Sequence, residues 1–334
     1  LEFKAHNIVI NNKKSYLKLK KKLKNKKINI FNNINEFNLR FKSKIDFTMS
    51  AISGLDGLKP TLDLIKFSKN IAIANKESII CGWNLIDKKA RKYKTSILPI
   101  DSEHFSIMNL IKGVQKQEIE KIYLTASGGP FRNLTRKAMA HVTPEEAVAH
   151  PNWDMGSKIT IDSATLVNKC FELIEAKFLF DLNPDSLGVL VHPESKIHSL
   201  VELNDGSVEA QLSVPSMLIP LSYGLLGHHS EKTRNTFSLD MFGDNISLNL
   251  QKFPEDRYQL IEIAIDVMKN KQNRGLVFAT INDFAVRRYL NEEISFGEIY
   301  NLIFTNYEKI PKKEISSLDE IRTNRLEILD YLNK

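Results

Sequence analysis

Between residues 46 and 100 the chain alternates short apolar runs with helical stretches. "DFTMSAI" (46–52) reads as a buried strand. "SGLDGLKPTLDLIKFS" (53–68) reads as a glycine turn and a helix with Pro60 near its first turn. "NIAIA" (70–74) is a second strand, "NKESIICGWNLIDKKARKY" (75–93) a second helix and "TSILPI" (95–100) a third strand. Connections of helical length exclude tight hairpins, so the strands are expected in one parallel sheet with crossover helices. Ligands of such sheets bind at the carboxyl ends of the strands. Asn75, Lys76 and Glu77 stand at one such end, and Asp101, Ser102 and Glu103 at another.

Further along, "EIEKIYLTASGGPFRN" (118–133) reads as a strand and a Gly-Gly-Pro loop. Residues 149–180 read as loop, short strand and long helix. "LGVLVHPES", "KIHSLVELND" and "GSVEAQLSV" read as three strands with turns between them, the Asn204-Asp205-Gly206 turn being a hairpin signal. Beyond about residue 226 the pattern turns polar and irregular. From about 254 four helical patterns follow to the end of the chain.

The carboxylates raise the first chemical question. Asp101 and Glu103 lie two positions apart, so on an extended backbone they point the same way. Like charges side by side need a positive partner. Either this is a polar turn ending a strand, or it is half of a divalent-metal site. In "IDSATLVNKCFELIEA", Asp162 or Ser163 is placed to cap a helix on which Asn168, Glu172 and Glu175 share one face, with Lys169 three before Glu172. A helix start with a hydroxyl, free N–H groups and a nearby lysine is a seat for phosphate, or else a capped surface helix. Ser127 with Gly128 and Gly129 offers a second close approach to an anion, or a tight turn. "HPNWDMG" (150–156) reads as a lid or as a loop pinned by Trp153. Taken together, three carboxylates, two Ser/Gly anion seats and lysines fit a metal-plus-phosphate small-molecule site, and all-oxygen ligands suit Mg²⁺ or Mn²⁺ rather than zinc.

Composition narrows the alternatives. The 334 residues suffice for two or three domains, and no apolar run reaches the roughly 18–20 residues of a membrane helix. Cys81 and Cys170 form neither a disulfide framework nor a CxxC pair, which fits a reducing compartment. The net charge of +7 is local, because residues 1–30 hold ten lysines and one glutamate. That segment carries +9 and the remainder −2. "KKSYLKLKKKLKNKKINI" could bind nucleic acid or an anionic membrane, but reads better as the solvated face of an amphipathic helix. The chain begins at Leu1 without a signal-peptide pattern, and the first part of the protein is expected to be missing.

"ANKES", "LPIDSEH", "ASGGPFR", "HPNWDMG", "TIDSATLVNKCFELIEA" and "HPESKIHS" closely resemble, in order and spacing, the motif series of the 1-deoxy-D-xylulose 5-phosphate reductoisomerases. The resemblance covers at least residues 46–215. It implies an α/β fold with a partial Rossmann-like NADPH-binding domain (1–100), an α+β catalytic domain (101–226), a linker (227–253) and a C-terminal helical bundle (254–334). It implies an NADP-dependent oxidoreductase that rearranges 1-deoxy-D-xylulose 5-phosphate and reduces it with NADPH to 2-C-methyl-D-erythritol 4-phosphate, in non-mevalonate isoprenoid synthesis. Asp101, Glu103 and Glu172 would hold Mg²⁺ or Mn²⁺, with Co²⁺ an alternative, and Glu175 would support them. Ser102, Glu103, Ser127, His150, Ser163, Asn168, Lys169 and Glu172 would contact substrate. Lys76, Glu103 and His150 would serve catalysis. Gly54, Ala74, Asn75, Lys76, Glu77, Gly156 and Met217 would lie along the cofactor, with His198 and Met217 lining the pocket and His150, Trp153 and Met155 on a flap. A homodimer in a bacterial cytoplasm is implied, a plastid-type organelle being the alternative, with no nucleic-acid or membrane partner.

Some positions depart from the family pattern. The glycine-rich dinucleotide loop is expected upstream of Leu1, so the chain as given is expected to bind NADPH poorly. Cys170 and Phe171 replace Gly and Leu, Ser216 replaces an Asp before Met217, and residues 225–234 lack a Trp-Pro pair. "ATINDFAV" (279–286) replaces an Asn-Ala-Ala-Asn-Glu run, keeping Asn282 and placing Asp283 where Glu is usual. Such changes on the far side of the pocket would mark a paralogue with another phosphorylated substrate. None touches the metal ligands.

Overall fold

The structure, a computed structural model, describes residues 5–24, 26–38, 43–148, 156–226, 238–239, 246–254, 259–270 and 272–334. The expected parallel sheet is present. Strands β3 (Ile45–Ser50), β4 (Ser68–Ile73) and β5 (Ser96–Pro99) pair in parallel, linked by helices α3 (Leu58–Ile65) and α4 (Lys76–Tyr93). Ile71, Ala72 and Ile73 of the central strand are buried, as the uninterrupted apolar run requires. Ahead of this sheet, β1 (Asn7–Val9) and β2 (Asn29–Phe31) pair in parallel across α1 (Lys13–Lys22). No residue of α1 is buried, so its lysines are the solvated face of a helix.

The second sheet has the order β10-β7-β6-β8-β9. It comprises β6 (Ile119–Ala126), β7 (Leu187–Val191), β8 (Ile197–Leu203), β9 (Val208–Leu212) and β10 (Gln251–Lys252). β8 and β9 form the expected hairpin, but β7 and β8 are not neighbours. The earlier strand β6 lies between them, parallel to β7 and antiparallel to β8. The carboxyl ends of β5 and β6 feed Asp101–Glu103 and Ser127–Gly129 toward one region. Much of the expected linker, and residues 149–155 with His150, Trp153 and Met155, lie outside the described residues. The last part of the linker supplies β10.

One expected strand is a helix. "SKITIDSA" forms α8 (Ser157–Ala164) although its apolar residues alternate. Thr160 and Thr165 donate their hydroxyls back to the carbonyls of Gly156 and Ile161 at 3.1 and 3.0 Å, and Lys158 pairs with Asp162 one turn on. Leu166, in the left-handed region at φ 59°, then separates α8 from α9 (Val167–Phe180). Asp162 and Ser163 therefore lie inside α8 and do not cap α9, correcting the sequence expectation.

The four C-terminal helices form as expected: α11 (Ile261–Lys269), α12 (Arg274–Leu290), α13 (Phe296–Tyr307) and α14 (Leu318–Leu332). They follow α5 (Ser102–Leu110), the short helices α6 (Arg136–Met139) and α7 (Pro144–Ala147), and α10 (Leu218–Leu226). α12 crosses α4 where Gly275 meets the Ile80 carbonyl so closely that a Cβ would collide with it. Phe171 of α9 packs edge-on against Phe278, ring centroids 5.1 Å apart. α9 is thus enclosed, and nine of its residues, from Val167 to Ala176, are buried, among them Lys169, Glu172 and Glu175. Charges survive such burial only when paired. Among the described residues no helix is long and apolar enough to cross a membrane.

Candidate active site

A cavity of about 220 Å³ lies where the two sheets, α8 and α9 meet. Its floor is charged. Asp101 is the N-cap of α5, its Oδ1 accepting from the Glu103 backbone N–H at 3.3 Å. The two carboxylates therefore converge across a first helical turn, not along an extended strand as the spacing predicted. The helix N-terminus favours both negative charges. Glu172 reaches them from α9. One carboxylate oxygen each from Asp101, Glu103 and Glu172 lie within 4.8 Å of one another. This partly buried, all-oxygen donor set fits a hard divalent cation.

Two lysines thread the carboxylates. Lys76 Nζ lies 2.6 Å from Asp101 Oδ2 and 2.9 Å from Glu172 Oε1. Lys169 Nζ lies 2.7 Å from Glu103 Oε1 and also contacts Glu172 Oε2. Asn168 Nδ2 donates to Glu172 Oε1 at 2.5 Å, and Ser102 Oγ donates to Glu103 Oε2 at 2.5 Å. Burial opposes the charge on Lys76, but Asp101, Glu172 and Glu175 outweigh it and hold its pKa well above the lysine range. Burial also opposes the Asp101 carboxylate, yet Lys76 and His104 keep it below its usual range. Glu103 goes the other way. Burial, and then the Glu172 charge, push it up to about 8.

Behind this floor, His104 Nε2 donates to the backbone carbonyl of Glu172 at 2.8 Å. Because a carbonyl only accepts, the tautomer is set and Nδ1 presents a lone pair. That nitrogen faces Asp101 Oδ1 at 3.8 Å and Glu175 Oε2 at 3.9 Å. Burial lowers the His104 pKa and raises that of Glu175 well above its usual range.

The upper wall carries hydroxyls. Gly129, at φ 69°, brings the Ser127 loop against α8 so closely that a Cβ would sit 3.0 Å from the Ser163 carbonyl oxygen. Ser127 and Ser163 thereby line the same cavity as Asn168 and Lys169.

Three family models match the chain. The model "1-deoxy-D-xylulose 5-phosphate reductoisomerase" matches residues 1–82, that of its C-terminal domain residues 97–180, and a further DXP reductoisomerase C-terminal domain residues 212–327. The chain is 44% identical over 331 residues to the 1-deoxy-D-xylulose 5-phosphate reductoisomerase of Pelagibacter ubique (strain HTCC1062), covering 96% of this chain and 84% of that protein. It belongs to the 1-deoxy-D-xylulose 5-phosphate reductoisomerase family. The Clostridium tetani reductoisomerase is 39% identical over 323 residues, with the same shares covered, 96% and 84%. Among solved structures, the Zymomonas mobilis reductoisomerase in complex with NADPH superposes with a TM-score of 0.85 at 31% identity, covering 98% of this chain and 85% of that one. A reductoisomerase in complex with NADPH, fosmidomycin and magnesium superposes with a TM-score of 0.86 at 32% identity, covering 99% and 86%.

Most residues that the reductoisomerase motifs single out line the one cavity: Ala74, Lys76, Asp101, Ser102, Glu103, Ser127, Ser163, Asn168, Lys169, Glu172, Glu175, His198 and Met217. Asn75, Glu77, Gly54 and Gly156 do not. Asn75 caps α4 and donates to the Gly54 carbonyl at 2.6 Å, holding the loop after β3. Glu77 turns away to Lys158. Gly156 is the N-cap of α8. Seven lining residues were not among the expected site residues, two of them being Leu166 and Ser195. Both have positive φ, 59° and 52°, and only Ser195 had a signal, in "HPES".

Proposed function

We propose that this chain catalyses the reaction for which its family is named, the NADPH-dependent conversion of 1-deoxy-D-xylulose 5-phosphate to 2-C-methyl-D-erythritol 4-phosphate. The observation that carries this reading is the convergence of Asp101, Glu103 and Glu172 on the floor of a cavity that Ser127, Ser163, Asn168 and Lys169 also line. Asp101, Glu103 and Glu172 would hold a Mg²⁺ or Mn²⁺ ion, which when bound supplies Lewis-acid polarisation of substrate oxygens. Ser127, Ser163, Asn168 and Lys169 take the phosphate end, giving remote binding energy to orient the reacting carbons. Ser102 and His198 line the middle.

Lys76, kept charged by its carboxylate neighbours, donates to a substrate oxygen that gains negative charge. Glu103, which lines the cavity beside Ser102, takes the proton of a substrate hydroxyl as the carbon skeleton rearranges to an aldehyde. NADPH, when bound, supplies the hydride that reduces this aldehyde. Ala74, at the carboxyl end of β4, and Met217 border the cavity on the side assigned to the nicotinamide. His150 is assigned to the substrate and, with Trp153 and Met155, to the flap.

The division at 1–100, 101–226 and 254–334 is proposed as cofactor, catalytic and helical domains, supported by the change from parallel sheet to mixed sheet to helices. A homodimer is proposed as well. Val208 on the outer strand β9, and Leu218, Leu225 and Leu226 of α10, are exposed and apolar, which supports a partner surface there. The bacterial relatives support a cytoplasmic setting.

The test follows NADPH oxidation by the full-length protein, upstream residues included, with 1-deoxy-D-xylulose 5-phosphate and Mg²⁺ or Mn²⁺. Metal-dependent turnover that collapses in Glu172→Gln supports the assignment. A folded, NADPH-binding protein without turnover would overturn it in favour of another phosphorylated substrate.

A further inference from the structure

A second charged cluster lies outside the cavity. Lys158 Nζ sits 2.8 Å from Glu77 Oε1 on α4, 2.9 Å from Asp162 Oδ2 one turn along α8, and 3.1 Å from Asp283 Oδ1 on α12. Asn282, beside Asp283, donates from Nδ2 to Asp162 Oδ1 at 2.8 Å. The ring of Phe171 lies 5.4 Å from the ammonium. Three elements far apart in sequence thus meet on one lysine.

Two of the three tied carboxylates adjoin a substrate-facing residue. Glu77 follows Lys76, and Asp162 precedes Ser163. Lys158 itself precedes Ile159, another lining residue. α12 lends no side chain to the cavity lining among the described residues, yet it grips α8 through two consecutive side chains. Without the ammonium, three carboxylates would face one another and repel, and α8 would be driven from α4 and α12. Because helices move as rigid units, the displacement would reach Ser163 within one residue.

We propose that Lys158 is a positioning residue for substrate binding: it locks α8 against α4 and α12 so that Ser163 faces the cavity. This rests on the reductoisomerase reading above. It also gives a role to Asp283, where the chain departs from its family's pattern, and to the retained Asn282 beside it.

The test compares Lys158→Met, Lys158→Arg and Asp283→Asn in the full-length enzyme, with KM and kcat for 1-deoxy-D-xylulose 5-phosphate, the Mg²⁺ concentration for half-maximal rate, and thermal unfolding. Lys158→Met is expected to raise KM about tenfold while kcat stays within about threefold and the Mg²⁺ requirement holds. Lys158→Arg is expected to restore most of the lost affinity, and Asp283→Asn to raise KM by a smaller factor. A folded Lys158→Met with the wild-type KM overturns the proposal, as does a parallel fall of kcat and rise of KM that Lys158→Arg does not repair. If Lys158→Met does not fold, Asp283→Asn decides, and a wild-type KM there overturns it. A wild-type enzyme that turns over nothing sinks the reductoisomerase reading, whereas active wild type with unchanged variants sinks only the positioning role.

Discussion

Two partly buried charge clusters lie in this molecule, one joined by Lys76 and the other by its chain neighbour Glu77. In the first, Asp101, Glu103 and Glu172 converge on one another, and Lys76 and Lys169 bind them from the sides. In the second, Glu77, Asp162 and Asp283 converge on the ammonium of Lys158. With every group ionised, each cluster has more negative than positive charge. The difference is what occupies the centre. The first set also faces an open cavity, with its three carboxylate oxygens close enough together to hold a cation between the two lysines, while the second set is gathered on one lysine outside that cavity. A count of acidic residues cannot tell these cases apart.

The comparison breaks first at Glu172. Glu172→Gln removes one ligand, and the loss of kcat is expected to reach at least about 100-fold, the upper end of what even outer-sphere changes at metal sites cost. Chelation of divalent ions should abolish turnover in the wild type, and Mg²⁺ or Mn²⁺ should restore it. In Lys158→Met the expected effect is on stability, a loss of about 2 kcal/mol read from denaturant unfolding. Breaking a buried ion pair costs roughly 3–5 kcal/mol, and the Lys158 side chain is one-third exposed, which reduces the cost.

Acid stability sharpens the contrast further. Burial raises the Glu77 pKa, but the charge and hydrogen bond of Lys158 outweigh it and hold the group below its ordinary 4.5. A depressed carboxylate contributes stability that is present above the unfolded value and lost as pH falls through the folded one. The wild type should therefore keep the Glu77 contribution until the pH drops below about 4.5. In Lys158→Met the depressing partner is gone and burial remains, so the sign reverses: the ionised Glu77 opposes folding and acidification relieves it, visible as a difference in melting temperature between variant and wild type that shrinks as pH falls. The smallest effect is expected in α1. Replacing Lys20, Lys21 and Lys22 with Gln should change stability by no more than about 0.5 kcal/mol and leave turnover unchanged, because no residue of that helix is buried.

Much of the candidate site was legible in the sequence. The parallel strands, the Asp101-Ser102-Glu103 run at a strand end and the Asn168-Lys169-Glu172-Glu175 helix face all follow from local periodicity and residue chemistry. The motif series led to the family to which the comparisons assign the chain. Other features were hidden because they depend on contacts between distant segments. The alternation in "SKITIDSA" suggested a strand, but packing against α9 and back-bonding threonines make it a helix. β6 enters between β7 and β8, which no local pattern encodes. Glu77 looked like a cofactor contact because it follows Lys76, and in the fold it turns to Lys158, 81 residues away.

By itself the sequence determined which groups are available and in what local arrangement: three carboxylates, two serine-bearing turns, lysines beside them, and a solvated basic helix at the front. Spacing along a strand or helix is a short-range property, so it survives without knowledge of the fold. Only the tertiary structure decided which carboxylates meet each other and which meet a lysine. That choice depends on where α8, α9 and α12 pack, and long-range packing assigns each buried charge its partner.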